Sequence, residues 1–267
     1  MEIRNKVLGL YLLKDELNYF HESLNNEFNP IKKFRLIKQN LIVLNTFIES
    51  LNKFNLYLRN NDELKDKARS IRKRGGLINH MRNKIGGHLD EDILKRAAQW
   101  SPDFFSKKNK ENKTAQIFIG YKTILESSIN SYIDINDNKL QKEFGIEIDL
   151  MIPSDCEIFF NYLGCLNVDS INWISNIIEV LELDFEYFDD DELINNFRIA
   201  SYTDFNLKKD FKLPELEEIE DNEMADLLIE AIKETDLLKK NEKLNDLILK
   251  LEQNNEMLKK ELKNKSC

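Results

Sequence analysis

Leucine returns every seventh residue at Leu237, Leu244, Leu251 and Leu258, and Asn241, Ile248, Asn255 and Leu262 take the alternate seam positions. A seven-residue repeat brings one apolar side chain to the same helix face every two turns, and such a seam is buried best against another helix. The pattern is that of a leucine zipper, with leucine at each d position and asparagine at two a positions. A seam asparagine pairs with its twin in a parallel dimer and sets register at a cost in stability. A homodimer, or a higher homo-oligomer, held by a coiled coil is therefore predicted. DNA-binding zippers need a basic helix immediately upstream. Residues 215–236 are strongly acidic instead, so this zipper serves association.

The first hundred residues also read as helices. Ile3, Val7, Leu10, Leu13, Leu17, Phe20 and Leu24 recur at three- and four-residue steps, as do Phe34, Ile37, Leu41, Leu44, Ile48 and Leu51. Each series is an apolar stripe along one helix face. Asn29-Pro30 fits the cap and first turn of the second helix. Asp62 fits the cap of a shorter basic helix that ends at Gly75-Gly76. A segment from Leu77 to Leu89 follows, and Asp90 or Asp92 caps a helix through Ala97. A bundle of four or five helices results, its stripes forming a core that needs no cofactor. With only four prolines and eight glycines in 267 residues, the expected class is all-α.

Charge is unevenly spread. Residues 1–100 carry 19 Lys+Arg against 12 Asp+Glu, whereas residues 151–236 carry 5 against 23. A basic half and an acidic half point to different partners. Lys65, Lys67, Arg69, Arg72, Lys73 and Arg74 form a basic run, and Lys84 follows it. Such a run steers a phosphate backbone, or it is a solvated helix face paired with Asp62, Glu63 and Asp66. The acidic half cannot favour nucleic acid. It serves to shield or mimic it, to dock on the basic half, or to confer solubility.

Immediately after the basic run stands Arg82-Asn83-Lys84-Ile85-Gly86-Gly87-His88, in a chain with only three histidines. Histidine titrates near pH 6.5 and can move the proton of a ribose 2′-hydroxyl. Arginine stays charged and can hold a phosphate through two hydrogen bonds while negative charge builds on it. Asn83 is placed to orient either partner. Six positions on an ideal helix rotate by about 600°, leaving Arg82 and His88 about 120° apart. Either the helix is distorted at Gly86-Gly87, or the two side chains meet only across a subunit interface. A plainer alternative is a helix terminus at the glycines, with His88 opening the next turn. Arg74 and His80 have the same spacing, but Gly75 and Gly76 between them predict a break in the helix there.

Arg82-Asn83 followed by His88, on a late helix of an N-terminal bundle, resembles the HEPN superfamily, whose hallmark is an arginine, an adjacent polar residue and a histidine after four to six residues. The resemblance covers roughly residues 1–100 and rests on that one motif; the double glycine before the histidine is not a fixed part of it. It implies an all-α fold, pairing of two such domains, and a composite cleft acting as a metal-independent endoribonuclease. Many members look like toxins or effectors of antiphage defence, and many others are catalytically dead. On that reading Arg82, Asn83 and His88 from two copies line one cleft, RNA is the substrate, and neither metal nor other cofactor is needed. A dimerising tail would raise the effective concentration of the second bundle.

The expected organisation is a bundle over residues 1–100, a mainly helical acidic accessory region over 101–213, and a long zipper helix over 214–267. In the middle, Ser101-Pro102 and Lys107 to Lys113 read as loop, and Ala115 to Ile133 as one helix. Glu147 to Ile152 reads as a short strand or a helix end stopped by Pro153, and Asp169 to Leu183 as helix, with Ile174, Ile177, Ile178 and Leu181 facing inward. Asp189 to Glu192 lacks the spacing of a calcium loop and reads as an acidic helix start. Cys156, Cys165 and Cys267 have no metal-ligand spacing. No run approaches 18 apolar residues and the N-terminus lacks a signal-peptide profile, so a cytoplasmic protein off the membrane is expected. Two other functions fit the sequence: a non-catalytic scaffold that recruits a protein partner through the zipper, and a regulator whose acidic region occupies a basic site on another protein.

Overall fold

The computed structural model describes residues 2–59, 61–87, 89–133, 141–200 and 202–206, and within the tail residues 239, 241, 243–245 and 248–251. The chain is all-α. Among the described residues there is no strand, only an isolated antiparallel bridge between Ile133 and Gln141. It divides into two compact units, Met1–Phe185 and Glu186–Cys267.

In the first unit, α1 (Glu2–Asn26) and α2 (Pro30–Ser50) follow the two apolar stripes. Val7, Leu10, Leu17, Phe20 and Leu24 of α1 are buried, as are Phe34, Ile37, Leu41 and Leu44 of α2. Asn29 caps α2 by accepting from the backbone of Ile31 and Lys32, and Pro30 occupies the first turn, where its missing N–H is not needed. The next helix, α3 (Asp62–Met81), is capped by Asn61 rather than Asp62.

Helix α3 runs straight through Gly75 and Gly76, where the sequence predicts a break. The glycines serve packing instead. A Cβ on Gly75 would stand 2.6 Å from Cδ1 of Ile48 on α2, and one on Gly76 would strike the Tyr132 hydroxyl. Each glycine costs about 1 kcal/mol of helix propensity, which the close approach of α3 to its neighbours offsets. Gly75→Leu forces a large side chain into the Ile48 contact and is expected to destabilise the fold by about 1–3 kcal/mol. A urea midpoint equal to that of the wild type would show that the contact yields freely.

Beyond Met81 come a turn carrying the motif, then α4 (Glu91–Trp100) and α5 (Lys107–Glu111), with a short 3-10 turn at Pro102–Phe105 between them. The stretch that reads as loop therefore holds short helical pieces. Helix α6 (Lys113–Asn130) ends three residues before the expected Ile133.

Glu147 to Ile152 form neither a strand nor a helix end. The segment is tied to α6 through a side chain: Asn130 Nδ2 donates to Ile148 O at 2.9 Å, and Asn130 Oδ1 accepts from Ile148 N at 2.8 Å. Those bonds satisfy the Ile148 backbone without a neighbouring strand. Pro153 then starts a helix rather than stopping one, because proline is tolerated in a first turn, where no intrahelical N–H bond is required. Helix α7 (Pro153–Glu182) thus begins well before Asp169.

One core spans the boundary at residue 100 that composition suggests. Ile174, Ile177, Ile178 and Leu181 of α7 face inward, and α7 packs on α1 and α3. Trp173 is fully buried, its ring 5.7 Å from that of Phe47 and 5.8 Å from that of Phe54. Its indole N–H donates to Leu64 O at 2.9 Å. Burying such a side chain contributes about 1.5–3 kcal/mol, so α7 is part of what holds the first helices together.

In the second unit, α8 (Asp190–Ala200) starts at a reciprocal cap. Asp189 Oδ1 accepts from Glu192 N at 2.8 Å, and Asp189 N donates to Glu192 Oε2 at 3.2 Å. The acidic cluster is a helix start, as its sequence predicts. Among the described residues no group of carboxylates, histidines and cysteines is arranged to hold a metal, and no helix is long and apolar enough to cross a membrane. Of the zipper positions, Asn241, Leu244, Ile248 and Leu251 are helical, with Ile248 and Leu251 about half exposed. Leu237, Asn255, Leu258 and Leu262 lie outside the described residues.

Candidate active site

Arg82 to Gly86 form a single turn of π-helix directly after α3. A π-turn bonds each N–H five residues back, so the ladder widens locally, and such turns are rare and frequently sit at functional sites. The helix is therefore distorted over the motif from Arg82 onward, and it also ends at the glycines, as the plainer alternative has it: the π-turn stops at Gly86 and α4 starts only at Glu91. Buried Ile85 anchors the turn to the core, while Arg82 and Asn83 are exposed. Arg82 Nη1 donates to Asn83 Oδ1 at 2.9 Å, and Asn83 Nδ2 donates to Asn79 Oδ1 at 3.1 Å. Asn83 thus holds the guanidinium from one side. His88 lies outside the described residues.

The far side of the turn is fixed by Asp90. It accepts from Lys84 Nζ at 2.8 Å, and its other oxygen accepts from the backbone of Asp92 and Ile93, capping α4. The Lys84 ammonium, joined by those backbone donors, holds the Asp90 carboxyl below the usual carboxylate range. Asp90 N also donates to Lys84 O at 3.0 Å.

Gly86 and Gly87 differ in what surrounds them. A Cβ on Gly86 would lie 3.2 Å from Arg82 Cγ and 3.5 Å from Ile42 Cγ1, whereas one on Gly87 would meet nothing within 4 Å. If the motif cleaves RNA, as its resemblance implies, Gly86→Val is expected to displace the Arg82 stem and lower that cleavage by about tenfold or more. Gly87→Ala should keep cleavage within about twofold, because its φ of −88° is open to alanine. Equal cleavage by both variants would show that the Arg82 position is not set by Gly86.

The basic run lies along α3. Lys65 pairs with Asp62, Lys67 with Glu63 and Arg69 with Asp66, each on the solvent side. Arg72 Nη2 donates to Asn55 Oδ1, Lys73 is exposed, and Arg74 pairs with Asp169 of α7. Exposed pairs of this kind contribute about 0–1 kcal/mol and exchange readily. Arg74 and His80 do not meet: Arg74 faces α7, and His80 Nε2 lies 2.8 Å from Ser131 Oγ just past α6. Burial, assisted by Lys84, pushes the His80 pKa down against the opposing pull of Asp90.

Sequence reasoning misses the polar side of α4 and α6. Glu126 is fully buried and accepts from Trp100 Nε1 at 3.0 Å and Leu150 N at 2.8 Å, with Lys122 Nζ at 3.2 Å. Burial raises its carboxyl above the ordinary range despite these partners. The signal in the chain is the four-residue spacing of Lys122 and Glu126, which does not reveal burial.

Comparison with protein-family models, curated proteins and solved structures finds no match for this chain.

Proposed function

We propose that the chain is a metal-independent endoribonuclease that works as a homodimer, with Arg82, Asn83 and His88 of two copies lining one cleft. The observation that carries this reading is the π-turn at Arg82–Gly86, which presents Arg82 to solvent with Asn83 bonded to its guanidinium. His88 acts as general base or acid at the ribose 2′-hydroxyl, and Arg82 holds the scissile phosphate as charge develops. The 2′-oxygen attacks the adjacent phosphorus and the 5′-oxygen leaves, giving a 2′,3′-cyclic phosphate and a 5′-hydroxyl. The zipper brings the second bundle into reach, and the exposed seam residues Ile248 and Leu251 suit that use. A toxin or antiphage effector acting in the cytoplasm fits such chemistry.

Purified protein incubated with total RNA and a defined tRNA in EDTA tests this reading. Cleavage is expected, and a requirement for divalent metal would overturn it. A second reading, a non-catalytic scaffold or regulator that binds a protein partner, draws on the ion pairs that already occupy Lys65, Lys67 and Arg69. It predicts that His88→Ala leaves biological activity intact.

A further inference from the structure

A cleft of about 640 Å³ opens beside the π-turn, between the end of α3, α4 and α6. Its size is that of a small-ligand site. Lys84 of the π-turn and Arg96 of α4 supply positive charge, and His80 lines the same space. Trp100 also lines it, 46% exposed yet fixed by its bond to buried Glu126. An aromatic ring held in place and left open to solvent is a ready surface for stacking a base.

Ser127 adds an unpaired polar group to the wall of the cleft. It is 8% exposed, lines the cleft, and its Oγ has no hydrogen-bond partner among the described residues. A buried hydroxyl left unpaired is costly, and rotation of the Ser127 side chain toward the cleft would let a bound group remove that cost. Asp92 and Glu147 on the lining accept hydrogen bonds only, which suits the amino and imino hydrogens of a base. Lys84 gives one of its three donors to Asp90, leaving two for an anion.

We propose that this cleft holds one nucleotide of single-stranded RNA next to the cutting motif, its base against Trp100 and its phosphate at Lys84 and Arg96. The inference rests on the ribonuclease reading for the identity of the strand. A single strand is required because bases in a duplex are stacked and cannot reach an aromatic platform.

Tryptophan fluorescence of the full chain provides the test, since the two tryptophans are Trp100, open to the cleft, and Trp173, fully buried. Titration with a short, uncleavable 2′-O-methyl oligonucleotide should quench emission saturably. Trp100→Leu should abolish the quench and weaken binding, followed separately by a labelled oligonucleotide, by about five- to a hundredfold. Trp100→Phe keeps a stacking ring and should retain most of the affinity, which separates lost stacking from a damaged fold. Arg96→Gln should weaken binding and flatten its salt dependence. Binding without a quench, equal affinity in Trp100→Leu, or no binding would overturn the proposal. So would a mononucleotide that binds as tightly as the oligonucleotide, which would mark a site for a free nucleotide. A quench by a protein that cleaves no RNA would leave the subsite standing and remove the nuclease reading; cleavage with no involvement of Trp100 would do the reverse.

Discussion

Alanine in place of Arg82 or His88 is expected to slow RNA cleavage by about 10²–10⁴-fold. Arg82 is exposed and bonded to its neighbour Asn83, so its removal should change stability by no more than about 0.5 kcal/mol. A loss of activity without a loss of melting temperature would then mark a chemical role. Arg82→Lys keeps the charge but not the planar fork that grips two phosphate oxygens, and should recover only part of the rate. If the two residues act on one transition state, as proposed, Arg82→Ala with His88→Ala should be little worse than the poorer single variant. Rates that multiply would point to independent roles. Single-turnover measurements with one defined tRNA make the comparison.

The largest effect on stability is expected at Glu126. Glu126→Ala leaves the Trp100 indole N–H, the Leu150 N–H and the Lys122 ammonium without their acceptor. Removing one partner of a buried charged pair costs about 3–5 kcal/mol, a large share of the roughly 5–15 kcal/mol that holds a typical domain. Glu126→Gln keeps one acceptor oxygen and should cost less. The pH dependence has a definite sign. Burial raises the folded carboxyl above its unfolded value, so the folded state holds the proton to higher pH. The stability this gives is present below the unfolded value and is lost as pH rises through the raised one. Urea denaturation across that window should show a steeper fall in the wild type than in Glu126→Gln, where partly buried Glu143, also raised, still contributes. A loss below about 1 kcal/mol in Glu126→Ala would mean that water replaces the carboxylate.

The parts of the fold legible in sequence are those where periodicity and capping act locally. The stripes of α1 and α2, the Asn29-Pro30 cap and the Asp189 start all follow from residues within a turn of one another. Gly75 and Gly76 mislead a local reading because their reason is long-range: they make room for Ile48 and Tyr132, which no local pattern announces. Pro153 misleads for a different reason, since proline both ends helices and begins them. At the site, the double glycine leaves a distortion and a helix end as open alternatives; the structure has both, and the π-turn starting at Arg82 is not legible. The cleft on the other side of Lys84 depends on α4 and α6 meeting across sequence, so Trp100, Glu126 and Ser127 carry no motif.

The most direct measurement is the chemistry of the ends left on a defined RNA cut in EDTA, paired with the same RNA bearing a 2′-deoxy residue at the cut site. Cleavage by the proposed route gives 2′,3′-cyclic phosphate and 5′-hydroxyl ends, and no cutting at the deoxy position, which lacks the 2′-hydroxyl that this route requires as nucleophile. Products with 5′-phosphate ends, cutting at the deoxy position, or no cutting by a folded dimer would contradict it.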